Sequence, residues 1–156
     1  MTMQIREATI DDAQRILELG RILHAESYYS DYSLDQSRAK AAINDILAYP
    51  KQASLLLAEN NQGVIIGMLA VRMGTMFYFN RPVAQEQMFY VHPEWRGSSA
   101  AIKLIMAFRQ WSMNRGANEI MISINAGIGL EQLPRLMQRL GFSHVGHSFA
   151  LRLEQR

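Results

Sequence analysis

QEQMFYVHPEWRGSSAAIKLIMAFRQWSMNRG, residues 85–116, is the stretch on which the reading of this chain turns. Met88, Phe89, Tyr90 and Val91 have strand composition, and Pro93 cannot extend a central strand, so the strand ends near His92. Past Arg96 come Gly97, Ser98, Ser99, Ala100 and Ala101, a turn with almost no side-chain bulk. Ala101, Leu104, Ile105, Phe108 and Trp111 then recur at helical spacing. A helix that opens on small residues presents unsatisfied N–H groups and the positive end of its dipole, and an anion such as pyrophosphate can approach that backbone closely.

The order strand, V-H-P-E-W-R-G, small residues, helix resembles motif A of the GNAT acyltransferases, whose R/Q-x-x-G-x-G/A loop wraps the pyrophosphate of acetyl-CoA. Within that superfamily it resembles a short, phage-type branch. Arg96 and Gly97 fit the motif, Ala101 takes its permitted final position, and Ser99 stands where the family usually has its middle glycine. A serine there hinders the pyrophosphate if the backbone needs positive φ, or adds a donor if it does not. The likeness runs from I-R-E-A-T-I-D-D at Ile5 to L-G-F at Leu140, with motif A its specific part. It implies a GNAT-like α/β domain over 1–156, a mixed twisted sheet of six to seven strands with about four helices. It also implies acetyl-CoA as co-substrate, gripped by Arg96, Gly97, Ser98, Ser99, Ala100 and Ala101, by the backbone of Phe89 and Val91, and by Asn125.

The 156 residues are 49% hydrophobic and 19% charged, enough apolar content for one core and too little charge for a disordered chain. No apolar run is long enough to span a membrane, and Met1–Gln14 lacks the pattern of a secretory signal, so a cytoplasmic protein is expected. With no cysteine, a thiol nucleophile, disulfides and thiolate zinc sites are excluded. The net charge of +2 is too small to argue for nucleic acid, and neither an RNA-binding aromatic pattern nor a Lys/Arg stripe is present. Its distribution says more. Residues 1–50 carry 5 basic against 8 acidic side chains, and residues 51–156 carry 11 against 6. An anionic cofactor on the basic part and a cationic acceptor on the acidic part would use that split.

Taken in order, Ile5–Ala8 reads as a first strand, and Thr9 with Asp12 as a capping box for a helix whose apolar face runs to about Glu26. SYYSDY, residues 27–32, is a polar aromatic loop suited to touching a small ligand. Ser33 and Gln36 form a second capping box, opening a helix that Pro50 ends. Ala53–Glu59 and Val64–Met73 make an antiparallel hairpin about Asn60–Gly63. Gly74–Pro82 breaks the pattern, with Tyr78 and Phe79 at its tip. Glu119–Ile124 is expected as a strand parallel to the one ending at His92, the two diverging to leave a slot. Asn125, Gly127 and Gly129 give a bend, Glu131–Leu140 a short last helix closed by Gly141, and Phe142–Leu153 a segment finishing the sheet.

Acyl transfer to an amine needs a grip on the coenzyme, polarisation of the thioester carbonyl and removal of the amine's proton. For the base, Glu86 is the sole carboxylate on the strand leading to the small-residue loop; the structural alternative is pairing with Arg72 or Arg81. For the acid, the position of the family's usual tyrosine is Met137, and Tyr78 and Tyr90 are the substitutes. His92 is read as a turn histidine, and no metal site is expected from four dispersed histidines. The resemblance implies an N-acetyltransferase acting by direct attack of a primary amine, small molecule or protein, with a homodimer also expected. The alternative, motivated by Ser99 and Met137, is a catalytically degenerate protein of the same fold that binds acyl-CoA or a macromolecular partner.

Overall fold

The computed structural model describes residues 3–153; the ends of the expected domain, 1–2 and 154–156, lie outside the described residues. Strand β1 is Gln4–Glu7, followed by a 3-10 turn Ile10–Asp12 and the helices α1, Ala13–Glu26, and α2, Gln36–Ala48. Strands β2, Ala53–Glu59, β3, Ile65–Met76, and β4, Phe79–Val91, lead through a second 3-10 turn at Pro93–Trp95 to α3, Ala100–Met113. Strand β5, Glu119–Met121, and α4, Gln132–Arg139, complete the order. The sheet is mixed: β1 to β4 are antiparallel neighbours in sequence order, and β5 lies parallel to β4 after the α3 crossover.

Alternation along the strands sorts the apolar residues onto two faces. On one, Leu104, Phe108 and Trp111 of α3 pack on Leu56, Leu69, Val71 and Ala84. On the other, Ile16 and Leu19 of α1 and Ile43 of α2 pack on Leu55, Leu57, Met68, Ala70 and Tyr90. Each fully buried large side chain contributes roughly 1.5–3 kcal/mol, which is what holds helices to both faces. Gly67 lets α3 come close: a Cβ there would lie 3.3 Å from Leu104 Cδ1 and 3.3 Å from the Tyr90 carbonyl oxygen.

Four expectations are corrected. The sheet has five strands and not six or seven, because residues 142–153 carry no strand pairing among the described residues. With β5 only three residues long, the outer edge has little ladder to offer a further strand. Residues 74–82 do not break the hairpin. Pro82 sits within β4 opposite Thr75, and its carbonyl accepts from the Asn118 amide at 2.9 Å. Its missing N–H therefore falls on the β5 side, one residue before the β5 ladder begins at Val83. The cap of α2 is Asp35, whose Oδ1 accepts from the Arg38 amide at 3.0 Å, and not Ser33. Finally, β5 stops at Met121 and not at Ile124, for a reason that belongs to the site.

Candidate active site

The β4–β5 ladder pairs Val83 with Glu119, Ala84 with Ile120 and Gln85 with Met121, and there it ends. Two features part the strands. Ala70 faces Met88 while Val71 faces Glu86, so Gln87 is an extra residue, a bulge that turns β4. Ala84 accordingly lies on the α3 face while Met88 and Tyr90 lie on the α1 face. Secondly, the Ser123 amide, which would continue the ladder, donates instead to the Glu86 carboxylate at 3.1 Å. From Glu86 to Val91 the β4 backbone facing β5 has no ladder partner among the described residues, so the strands part there into a slot, with Phe89 in the unpaired part of β4 and Asn125 in the chain that follows β5.

Glu86 is half-buried, and withdrawal from water pushes its carboxyl up to about 7, against the smaller opposing effect of the Ser123 amide. It pairs with neither arginine considered from the sequence: Arg72 is bound to Asp45 at 2.7 Å, and no ion pair joins Glu86 to Arg81 among the described residues. A carboxyl with this affinity for protons is suited to accept one near neutral pH.

At the end of β4, the side chain of His92 caps the 3-10 turn by accepting from the Glu94 amide at 3.3 Å. The turn delivers Gly97 at φ +83°, a conformation L side chains rarely adopt, with no atom within 4 Å of where its Cβ would stand. Ser98 Oγ donates to the Trp95 carbonyl at 2.6 Å and accepts from the Ala100 amide at 3.2 Å, fixing the entry to α3. The amides of Gly97, Ser99, Ala101 and Ile102 have no partner among the described residues. Ser99 has φ −74°, so the serine costs no strain there, and its side chain makes no cap bond. These four amides at the start of a fourteen-residue helix fit a pyrophosphate, and the parted strands fit the extended arm of a coenzyme.

Arg96 does not point into this loop. Its Nε donates to the Val91 carbonyl at 3.1 Å, its Nη2 lies 2.6 Å from Glu26 Oε1, and its guanidinium stands 5.3 Å from the centre of the Tyr90 ring. Tyr90 Oη donates to the other Glu26 oxygen at 2.5 Å. Burial, then the Glu26 bond, hold the Tyr90 phenol above its ordinary range, so it keeps its proton at neutral pH. Tyr78 is elsewhere. It is 80% exposed at the β3–β4 tip, eight positions before Glu86, on the order of 25 Å along the strand. Met137 is buried, and its neighbours on α4 supply no proton donor in place of the tyrosine it replaces.

Sequence reasoning missed Glu26, which joins Tyr90 and Arg96 beside the candidate site. The signal was there: an acid in the last turn of a helix opposes the dipole and needs a cation to offset it. Arg96 supplies it across 70 residues of chain, a pairing that no local pattern encodes. Also unforeseen was Arg152, which donates to Asp31 and to the Tyr28 carbonyl from the segment after α4.

The comparisons bear on this geometry. Residues 17–142 match the model of the acetyltransferase (GNAT) family. The chain belongs to that family and is an acetyltransferase by class. No curated protein matches it at a significant level. Among solved structures, a transcriptional regulator from Bacillus halodurans C-125 superposes with a TM-score of 0.78 at 20% identity, over 97% of this chain and 100% of that one. AAC(6')-Iy in complex with a CoA-containing bisubstrate analogue gives 0.73 at 21%, over 99% and 100%. Glucosamine-6-phosphate N-acetyltransferase from Arabidopsis thaliana gives 0.75 at 15%, over 99% and 100%. At these identities the likeness is one of fold.

Proposed function

We propose that this chain transfers an acetyl group from acetyl-CoA to a primary amine by direct attack, with Glu86 as the base. One observation carries the reading: a carboxyl pushed up to about 7 stands where β4 and β5 part, on the strand that delivers the small-residue loop. The free amides of Gly97, Ser99, Ala101 and Ile102 would hold the pyrophosphate, and the unpaired β4 edge about Phe89 the pantetheine arm. When bound, the coenzyme supplies an activated acyl group. The chain's own part is to fix that group, exclude water from the slot and take the amine's proton at the Glu86 carboxylate. Tyr90 is the tyrosine next to the slot, but its proton is committed to Glu26, which favours solvent as the source of the proton for the departing thiolate.

The finer terms of this reading are a phage-type branch, a cytoplasmic setting, a small-molecule or protein acceptor, and a homodimer. The first rests on the resemblance alone. The homodimer is supported by Phe149, Leu151 and Leu153, which alternate along the last segment and are 93%, 85% and 82% exposed.

The test is thermal shift with acetyl-CoA followed by thiol release across an amine panel. The melting temperature should rise with acetyl-CoA. Gly97→Val, which must leave positive φ or strain it, should abolish the rise while the unliganded protein stays folded. An undiminished rise in that variant removes the loop from the coenzyme site; no thiol release from any amine in the wild type favours the non-catalytic binder.

A further inference from the structure

The segment after α4 touches the rest of the molecule in an unusual way. Beyond Phe142, whose amide donates to the Met137 carbonyl, residues 143–153 make no backbone hydrogen bond among the described residues. What ties them down is one side chain. The Arg152 guanidinium donates to both carboxylate oxygens of Asp31 and, at 2.8 Å, to the Tyr28 carbonyl. It also lies 4.8 Å from the centre of the Tyr28 ring and 4.9 Å from that of Tyr32. Two aromatic faces, a carboxylate and a carbonyl oxygen around one cation make a receptor for organic cations.

The position of this cage gives it a purpose. Residues 27–32 follow directly on Glu26, whose carboxylate holds Tyr90 and Arg96 at the end of β4. On its other side the loop is fastened to the residues after β5, with the Tyr28 amide donating to the Ala126 carbonyl at 2.8 Å. The loop that carries the cage is thus tied both to the end of β4 and to the chain after β5, the two strands that part to form the slot. It also belongs to the acidic part of the chain, where residues 1–50 hold 8 acidic against 5 basic side chains. An exposed ion pair of this kind is weak, so its occupant exchanges readily.

We infer that Tyr28, Asp31 and Tyr32 form a cation subsite for the acceptor, and that Arg152 fills it in the free protein as a stand-in for the acceptor's second positive group. The inference rests on the proposed acetyl transfer and narrows its substrate class to di- and polyamines or guanidinium-bearing amines, in which one nitrogen reacts and another is held. Arg152 then acts as a competitor built into the chain, displaced when a dication binds.

The test compares spermidine with butylamine in the intact protein. Arg152→Ala should lower KM for spermidine about tenfold while moving KM for butylamine less than twofold. Asp31→Asn should abolish the preference for spermidine, and the double variant should lose the gain seen with Arg152→Ala. A strap with only a structural role predicts the opposite sign: Arg152→Ala would leave KM for spermidine unchanged or raise it, and either result overturns the inference. If the wild type acetylates neither amine, calorimetric titration of spermidine still decides. Binding about tenfold tighter to Arg152→Ala than to wild type, and lost again in the double variant, supports the subsite even though acetyl transfer has failed; equal binding to both overturns it.

Discussion

Glu86 spends its hydrogen-bonding capacity on a backbone amide that a longer β5 would have used for the sheet, and burial leaves it reluctant to ionise. For an acid whose folded pKa lies above the unfolded value of 4.5, folding stability is full at low pH and falls as pH rises toward about 7. Activity runs the other way, since a base must be ionised. The pH–rate profile should therefore rise through a limb near 7 and level off above it, and Glu86→Gln should lower turnover ~100-fold or more and flatten that limb. Melting curves should show Glu86→Gln less destabilised than wild type on going from pH 5 to 8. Ser99 gives a second test. With its φ already negative, Ser99→Gly relieves no strain, and the Kd for acetyl-CoA by titration should change by less than about tenfold, the scale of one neutral hydrogen bond. Glu86, Gly97 and the small-residue run were legible because strand composition, a proline stop and missing bulk are local signals. Tyr78 lies far from Glu86 because residues 74–82, read as a break in the pattern, continue β3 and β4 as one ladder out to Met76 and Phe79 and carry Tyr78 on the turn beyond them.

Between elements, the tie from α1 to β4 is the feature most exposed to test. Glu26 joins Tyr90 and Arg96, and Arg96 in turn holds the Val91 carbonyl, so the end of α1 fixes the strand that leads into the loop. Tyr90→Phe removes one bond to a charged group and should lower stability by roughly 1.5–3 kcal/mol in urea titration. Its turnover should stay within tenfold of wild type; a larger loss at unchanged stability would make Tyr90 the proton donor after all. The order of elements and the parallel crossover were readable from hydrophobic period and turn residues. The parting of β4 and β5 was expected as divergence, but its causes were not: a one-residue bulge leaves no trace in composition, and the Ser123–Glu86 bond spans 37 positions.

At the scale of the molecule, the first strand is fastened by charge as well as by the ladder. Arg6 makes a 2.7 Å bond to Glu59 and two 2.8 Å bonds to Asp12, and the latter, helped by the Thr9 amide against the effect of burial, hold the Asp12 carboxyl down to about 2. For an acid with a depressed folded pKa, the contribution is complete above the unfolded value of 3.8 and disappears as pH falls through about 2. A shift of this size is worth roughly 2 kcal/mol before solvent screening of the partly exposed Arg6 reduces it. Asp12→Asn should lower stability at pH 6 and should reduce the slope of stability against pH between 4 and 2, read by calorimetry. The segment Phe142–Leu153 was expected to finish the sheet; its Phe149, Leu151 and Leu153 alternate but are exposed, and the three-residue β5 offers them little edge to pair with.

The bulge at Gln87 acts as a change of parity. Before it, even-numbered residues of β4 such as Ala84 look toward α3; after it, even-numbered Met88 and Tyr90 look toward α1 and odd-numbered Phe89 and Val91 toward α3. The extra residue is absorbed without changing what its neighbours face: Glu86 stays opposite Val71, Met88 opposite Ala70 and Tyr90 opposite Met68. Deleting Gln87 would leave those pairings, and with them Tyr90 beside Glu26, in place, and would remove only the irregularity that bends β4. Loss of one residue at the bulge would therefore alter the course of β4 and the slot beside it, whereas the same loss in its regularly paired part would exchange the contents of the two layers.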